Sequence, residues 1–313
     1  MSLRIRYLLE YIPFFLFVKI FSLLPLGMGL KAGKSLGRLI YYLDAKHRRI
    51  AVNNISAALG LGKPEADQIA VRVFENLGYT FAEFIKLPNL DKDYFEKNVT
   101  VEGFENYKKA KENGAGVIIL SAHFGNWEFL PASHLIKMGE TAGIVYKVTK
   151  NPYVDKFIDS IRKSYGLKTF PHRNTMRKII SALREGEGIG MMLDQNARRD
   201  EAVVVDFFGR PAPTNYGLAL IAIKTGASVV PAFAVRVGDG KHKIIYEKAI
   251  SLEKSGDLKR DITDATVKFN NAIENYVRKY PEQWFWVHDR WRVQRKKGGV
   301  KEADEGQKDS DFS

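Results

Sequence analysis

The sequence predicts an α/β fold: a largely parallel or mixed sheet covered by helices on both faces, preceded by a helical segment of different character. Three observations predict it. Short apolar runs of strand length recur along the chain, stretches with helical periodicity fall between several of them, and glycine or proline marks many of the junctions. Strands that alternate with helices form parallel sheets with helices on their faces.

The elements follow in order. Tyr7 to Leu30 is largely apolar, with Arg4 and Arg6 before it and Lys31, Lys34 and Arg38 after it. Two readings fit: a poor transmembrane helix of about 20 residues, or an interfacial helix lying among headgroups. Pro13, Lys19 and Pro25 count against a clean span, so the interfacial form is the better expectation. Residues 1–45 are expected to form this membrane-associated anchor, 46–297 one further domain, and 298–313 a polar, disordered tail. Helical patterns cover 46–59 and 64–87. The runs 116–122, 141–146, 188–193, 202–206, 228–235 and 242–250 read as strands. Helices are expected at 126–138, 152–165, 175–185 and 215–224, with Gly226 stopping the last. A long helix over 261–279 ends before Pro281. Gly33-Lys34-Ser35-Leu36-Gly37 fits a Gly-x-Ser-x-Gly nucleophile elbow in letters only, because no buried strand precedes it.

Ligands of such sheets gather beyond the strand ends, and the most informative stretch lies there. Ser121-Ala122-His123-Phe124-Gly125-Asn126-Trp127-Glu128 follows the apolar run from Val117 to Leu120 and leads into an expected helix. The spacing alone is weak, since His242 and Glu247 repeat it inside a strand-like run, where residues five apart face opposite sides. At Phe124-Gly125-Asn126 a turn can bring the two groups together, and glycine tolerates the backbone angles required. A neutral imidazole at His123 can take a proton from a substrate hydroxyl near neutral pH. A carboxylate on its other ring nitrogen fixes the tautomer, and Glu128 is the expected partner. With no cysteine in the chain, the simplest chemistry is direct attack of an activated hydroxyl on an acyl group.

This stretch resembles the His-x4-Asp/Glu motif of the glycerolipid acyltransferase superfamily. In its longer form it is similar to the bacterial lipid A acyltransferases, the late lauroyl and myristoyl transferases. Further blocks agree in order: Val145-Tyr146-Lys147 with Asn151-Pro152, Leu193-Asp194-Gln195-Asn196, Asp206-Phe207-Phe208-Gly209, Thr214, Thr225 to Pro231, and Pro281-Glu282-Gln283-Trp284-Phe285-Trp286. The resemblance covers roughly residues 5–292. It implies transfer of a fatty acyl chain from an acyl-carrier-protein thioester to a hydroxyl of a lipid A precursor or related glycolipid. It also implies a place at the bacterial inner membrane, with the catalytic domain on the cytoplasmic face. His123 would be the base and Glu128 its partner. Lys147, Arg198, Arg199 and Arg210 are candidate anion binders, and Asn126, Asp194 and Gln195 candidate site-lining groups. Donors near the Gly125–Asn126 turn would stabilise an oxyanion. Lys147 stands where the family usually has arginine, which keeps the charge but loses the bidentate fork. A lysophospholipid or glycerol-phosphate acceptor, a lipid hydrolase and a non-enzymatic membrane-surface protein remain as alternatives.

Composition agrees. The net charge is +13, and the first fifty residues hold nine Lys and Arg against two acids. Such a bias suits anionic headgroups or an acidic carrier protein. No zinc-finger spacing or RNA-binding aromatic motif supports a nucleic-acid partner. Neither a His-Glu-x-x-His motif nor a thiolate set calls for a metal, and no cofactor is expected. Trp284, Trp286 and Trp291, with Arg290 and Arg292, fit either an interfacial belt or core packing, the latter being the expectation for at least two of the three tryptophans.

Overall fold

The computed structural model describes residues 3–173 and 175–292; the expected tail at 298–313 lies outside them. The chain opens with α1 (Leu3–Leu23), α2 (Leu26–Leu43), α3 (Ala45–Leu59) and α4 (Lys63–Lys86), then α5 (Lys92–Asn98), β1 (Val99–Glu102), α6 (Phe104–Lys111) and β2 (Val117–Ser121). It continues through α7 (Phe129–Ile136), β3 (Ala142–Tyr146), α8 (Pro152–Lys163), β4 (Lys168–Pro171), α9 (Met176–Arg184) and β5 (Gly188–Met192). A hairpin of β6 (Ala202–Phe207) and β7 (Arg210–Asn215) precedes α10 (Gly217–Thr225), β8 (Ser228–Gly238), β9 (Lys241–Tyr246) and α11 (Leu258–Lys279).

The central sheet has seven strands in the order β1-β9-β8-β2-β5-β3-β4. The pairs β8–β2, β2–β5, β5–β3 and β3–β4 are parallel; β9 runs antiparallel to β8 and parallel to β1. The sheet is therefore mixed, with a parallel centre. Its side chains divide by the two-residue strand period. Ile118, Leu120, Ile189 and Val229 face a core closed by Val73, Leu183, Leu218 and Phe269 of the helices. Val117, Ile119, Val230 and Ala232 face a second core closed by Phe95, Tyr107, Phe129 and Ile161. Both faces are thus covered, as expected.

Several elements differ from the expectation. β1 and β4 are four residues each and only partly buried, so their hydrophobic signal is short. The expected strand at 202–206 is not part of the main sheet; β6 pairs only with β7. The last strand ends at Tyr246, and Ile250 makes only an isolated bridge to Val229. Gly226 caps α10 in the left-handed conformation, as its position suggested.

The expected single anchor at 7–30 is instead two helices broken before Pro25, and among the described residues no helix is long and apolar enough to cross a membrane. Both helices pack on the rest of the protein. A Cβ at Gly33 would lie 2.4 Å from the Gly78 carbonyl oxygen, and one at Gly37 2.0 Å from that of Phe74. These glycines therefore let α2 and α4 touch backbone to backbone, which is the role of the elbow-like letters. Val18 and Phe21 of α1 join Tyr79, Ala82 and Ile85 of α4 in a small core, and Lys86 donates to the carbonyls of Ser22 and Leu24 at the end of α1.

Candidate active site

β2 and β5 are hydrogen-bonded neighbours with Ser121 opposite Met192. Two residues beyond each of these, His123 and Asp194 meet across the crevice at the strand ends. His123 Nδ1 lies 2.9 Å from Asp194 Oδ1, and the His123 backbone N–H donates to Oδ2 at 3.0 Å. The Trp284 indole N–H donates to the same Oδ2 at 2.8 Å. Burial alone would raise the Asp194 carboxyl; the imidazole beside it and these N–H donors outweigh that and hold it below the usual carboxylate range. An ionised carboxylate can only accept, so Nδ1 carries the proton and Nε2 presents its lone pair. The Gln195 side-chain amide nitrogen lies 3.4 Å from that Nε2. The His123 side chain keeps 21% of its surface exposed while Asp194 keeps 2%, so the imidazole reaches solvent and the carboxylate does not.

The carboxylate that meets the His123 ring is therefore Asp194, whereas Glu128 was the expected one. Glu128 accepts from Arg162 of α8 instead, Nε at 3.1 Å and Nη2 at 2.5 Å. The physical reason is the turn. Asn126 accepts the N–H groups of Glu128 and Phe129 at 3.2 and 3.3 Å, which starts α7 three residues later than the periodicity suggests. Glu128 is then carried toward α8. Burial would lower the Arg162 guanidinium, but the Glu128 carboxylate raises it above its ordinary value.

Glycine is required at the turn itself. Gly125 has φ of 57°, and a Cβ there would lie 1.8 Å from the Ala234 carbonyl oxygen. Its N–H donates to the Gln283 carbonyl at 2.8 Å, and the Asn126 N–H to that of Ala234 at 3.1 Å. These donors, expected to serve an oxyanion, are spent inside the protein. Asn126 is wholly buried and its side-chain amide donates to Glu83 at 2.6 Å, so it holds the turn and does not reach a ligand. Glu83 in turn accepts from Arg236 Nη1 and Nη2 at 2.7 and 2.8 Å and lies 3.4 Å from His242 Nε2. Asn76 and Thr80 donate to the Gly125 carbonyl at 3.2 and 3.0 Å. Glu247, the other half of the decoy spacing, accepts from the Tyr276 hydroxyl.

The other expected residues scatter. Lys147 is exposed just after β3. Arg198 is exposed and forks onto Asp200 at 3.1 Å, while Arg199 is exposed beside it. Arg210 stacks on Trp291 at 4.5 Å. Trp284, Trp286 and Trp291 are all buried, which settles their case in favour of packing. Phe285 lies 5.8 Å from the His123 ring and Trp127 5.4 Å, so aromatic rings wall the imidazole on two sides. Among the described residues, no cluster of three or more His, Cys, Asp or Glu side chains is arranged to hold a metal ion.

Beside the dyad an apolar cleft opens between β2, β3, β5, α7 and α8. Ile119, Ser121, Trp127, Leu130, Ile144 and Met192 line it, and the Glu128–Arg162 pair forms its one charged wall.

The model of the bacterial lipid A biosynthesis acyltransferase family matches residues 2–293. The chain belongs to that family. It is an acyltransferase. Among its relatives, the lipid A biosynthesis acyltransferase of Haemophilus influenzae is 25% identical over 275 residues, covering 87% of this chain and 84% of the relative. The lipid A biosynthesis palmitoleoyltransferase of Escherichia coli is 24% identical over 230 residues, 73% of each chain. The phosphatidylinositol mannoside acyltransferase of Mycolicibacterium smegmatis is 23% identical over 238 residues, 74% of this chain and 76% of the relative. In this acyltransferase, sequence reasoning missed Arg162, Glu83 and Arg236. Arg162 sits on an ordinary amphipathic helix and carries no signal. Glu83 and Arg236 do: each is a lone charge in an otherwise apolar stretch, and a buried charge demands a partner.

Proposed function

We propose that this acyltransferase moves a fatty acyl chain from a thioester donor, carried by an acyl carrier protein, to a hydroxyl of a lipid A precursor or related glycolipid. The observation that carries the reading is the His123–Asp194 pair, whose part-exposed imidazole packs 5.4 Å from the Trp127 ring, itself a wall of the apolar cleft. The acyl chain lies in the cleft and its carbonyl carbon near Nε2. The acceptor hydroxyl gives its proton to Nε2 as its oxygen bonds to that carbon. The tetrahedral adduct then expels the thiolate, which takes the proton from the imidazolium. Asp194 stabilises the imidazolium in between. The Gln195 amide orients the incoming hydroxyl. Glu128 acts as a positioning residue: it holds Arg162 across the cleft. Lys147 and Arg198, exposed on loops that leave the same end of the sheet, bind phosphate groups of donor or acceptor, the lysine as a point charge and the arginine through its guanidinium fork.

The test is product analysis. Purified protein in detergent, with EDTA present, is given carrier-protein and coenzyme A thioesters and a lipid A precursor. Mass spectrometry should find the acylated glycolipid, because the mechanism uses no metal. Free fatty acid as the sole product would indicate a hydrolase, and acylated lysophospholipid in its place a different acceptor.

The same reading places the protein on a membrane surface. α1 leaves Leu9, Ile12, Leu16, Ile20 and Leu23 exposed on one stripe, and α2 leaves Leu39 and Leu43 exposed. With the basic excess of this region, the stripe suits an anionic lipid surface, into which such a helix sinks its apolar side. The surface in question would be the cytoplasmic leaflet of a bacterial inner membrane. Leu16→Glu with Ile20→Glu should abolish co-sedimentation with phosphatidylglycerol vesicles without changing the melting temperature, since neither residue is buried. Binding that survives both substitutions would move the lipid contact elsewhere.

A further inference from the structure

We propose that Gly190 sets the length of the acyl chain this enzyme accepts. This deepens the reading of the apolar cleft as the acyl site and rests on it. Along β5, Gly188, Gly190 and Met192 share one face of the strand, and Gly190 and Met192 line the cleft. The ladders establish the face: Ile119 pairs with Gly190 and Ser121 with Met192 on one side, Ile144 with Gly190 and Ala142 with Gly188 on the other. At Gly190 the strand carries no side chain, leaving a furrow between Ile119 and Ile144. A Cβ built there would meet only Ile144 Cγ2 at 3.2 Å and the Gly143 carbonyl oxygen at 3.6 Å. The space directly over the strand is open.

Two residues back the furrow is closed. A Cβ at Gly188 would meet the Tyr107 hydroxyl at 2.9 Å, with His134 Nε2 and Ile119 Cδ1 both at 3.3 Å. This end wall is rigid. The His134 and Tyr107 rings lie edge to face at 4.6 Å, and His134 Nδ1 is 2.9 Å from the Tyr246 hydroxyl. The furrow thus starts at Met192, at the same level as Ser121 and two residues below His123, and ends at Gly188. Four residues of strand span about 13 Å. An extended chain advances about 3.3–3.6 Å for every three bonds, so the furrow itself takes roughly a dozen carbons of a fully extended alkyl chain. A side chain at 190 would block it halfway.

The experiment compares kcat/KM for saturated acyl thioesters of eight to sixteen carbons, on the full-length protein, for wild type, Gly190→Ala, Gly190→Val and His134→Ala. Wild type should fall sharply above one cut-off length. Gly190→Val should move the cut-off down by at least four carbons, raising the eight- to twelve-carbon rate ratio tenfold or more, in line with the roughly 10–200-fold discrimination one methylene gives in an apolar pocket. Gly190→Ala should lie between. His134→Ala, which opens the wall, should move the cut-off up. If Gly190→Val does not fold, the alanine variants decide. Active variants with an unchanged profile, or losses equal at every length, would overturn the gauge while leaving acyl transfer standing. A wild-type protein inactive on every thioester would instead overturn the acyl-transfer reading itself.

Discussion

Replacing His123 by alanine should lower acyl transfer by about 10²–10⁴-fold and leave the fold intact. The proposed base is part-exposed at the strand tip, and Asp194 holds its ring through Nδ1. Asp194→Asn should cost up to about 10⁴-fold, because an amide can donate to Nδ1 and so move the ring proton onto Nε2, where the base must be free. The double variant should be little worse than either single one, since the pair acts as a unit. Glu128 gives the contrasting result. It touches Arg162 and not the ring, so the losses from Glu128→Ala and His123→Ala should multiply. Glu128→Ala should also lower the melting temperature, because it leaves the part-buried Arg162 guanidinium without its carboxylate partner. Initial rates with one thioester donor, checked by circular dichroism, decide all of these. Full turnover by a folded His123→Ala protein would remove the base; overlapping losses for Glu128 and His123 would return Glu128 to the dyad.

The sequence carried the sheet's centre and the strand-end positions of His123 and Asp194, for reasons that particular residues make plain. Fully buried parallel strands such as Val117 to Ser121 and Gly188 to Met192 read as short continuous apolar runs, and strand ends are where ligands gather. Hence His123 and Asp194 were both legible as strand-end groups. Their pairing was not, because it depends on β2 and β5 being neighbours, and neighbour order in a sheet leaves no mark in one sequence. The tie between His123 and Glu128 was a plausible local inference that the Asn126 side chain defeats by starting α7 later. β1 and β4 escaped notice because four half-exposed residues give too little periodicity to separate from loop. The N-terminal segment was read as one unit because its apolar character is continuous across Pro25. Its glycines, not its hydrophobicity, record that α2 lies against α4.

Glu83→Ala should destabilise the protein by about 3–5 kcal/mol, the usual cost of removing one member of a buried ion pair. The carboxylate is fully buried, and its side chain is shared by the Arg236 guanidinium, the Asn126 amide and the nearby His242 ring. Burial would raise its pKa, but His242 and Arg236 outweigh this and hold it well below the carboxylate range. A folded-state pKa below the unfolded value of about 4.3 contributes stability that is present above that pH. The contribution is lost as pH falls toward the folded pKa. The stability gap between wild type and Glu83→Gln should therefore narrow on acidification below about pH 4.3, which urea titrations at several pH values would show. A second variant separates packing from positioning. Glu83→Leu with Arg236→Met replaces the pair by apolar groups of similar size and should recover most of the stability, as such swaps often do. It removes the acceptor of the Asn126 amide and the Arg236 contacts to Asn76 and Thr80, the residues that hold the Gly125 carbonyl. Turnover should then stay low although the protein is stable, because the turn that aims His123 is no longer held. Recovery of both stability and rate would show that the pair only fills the space behind the turn.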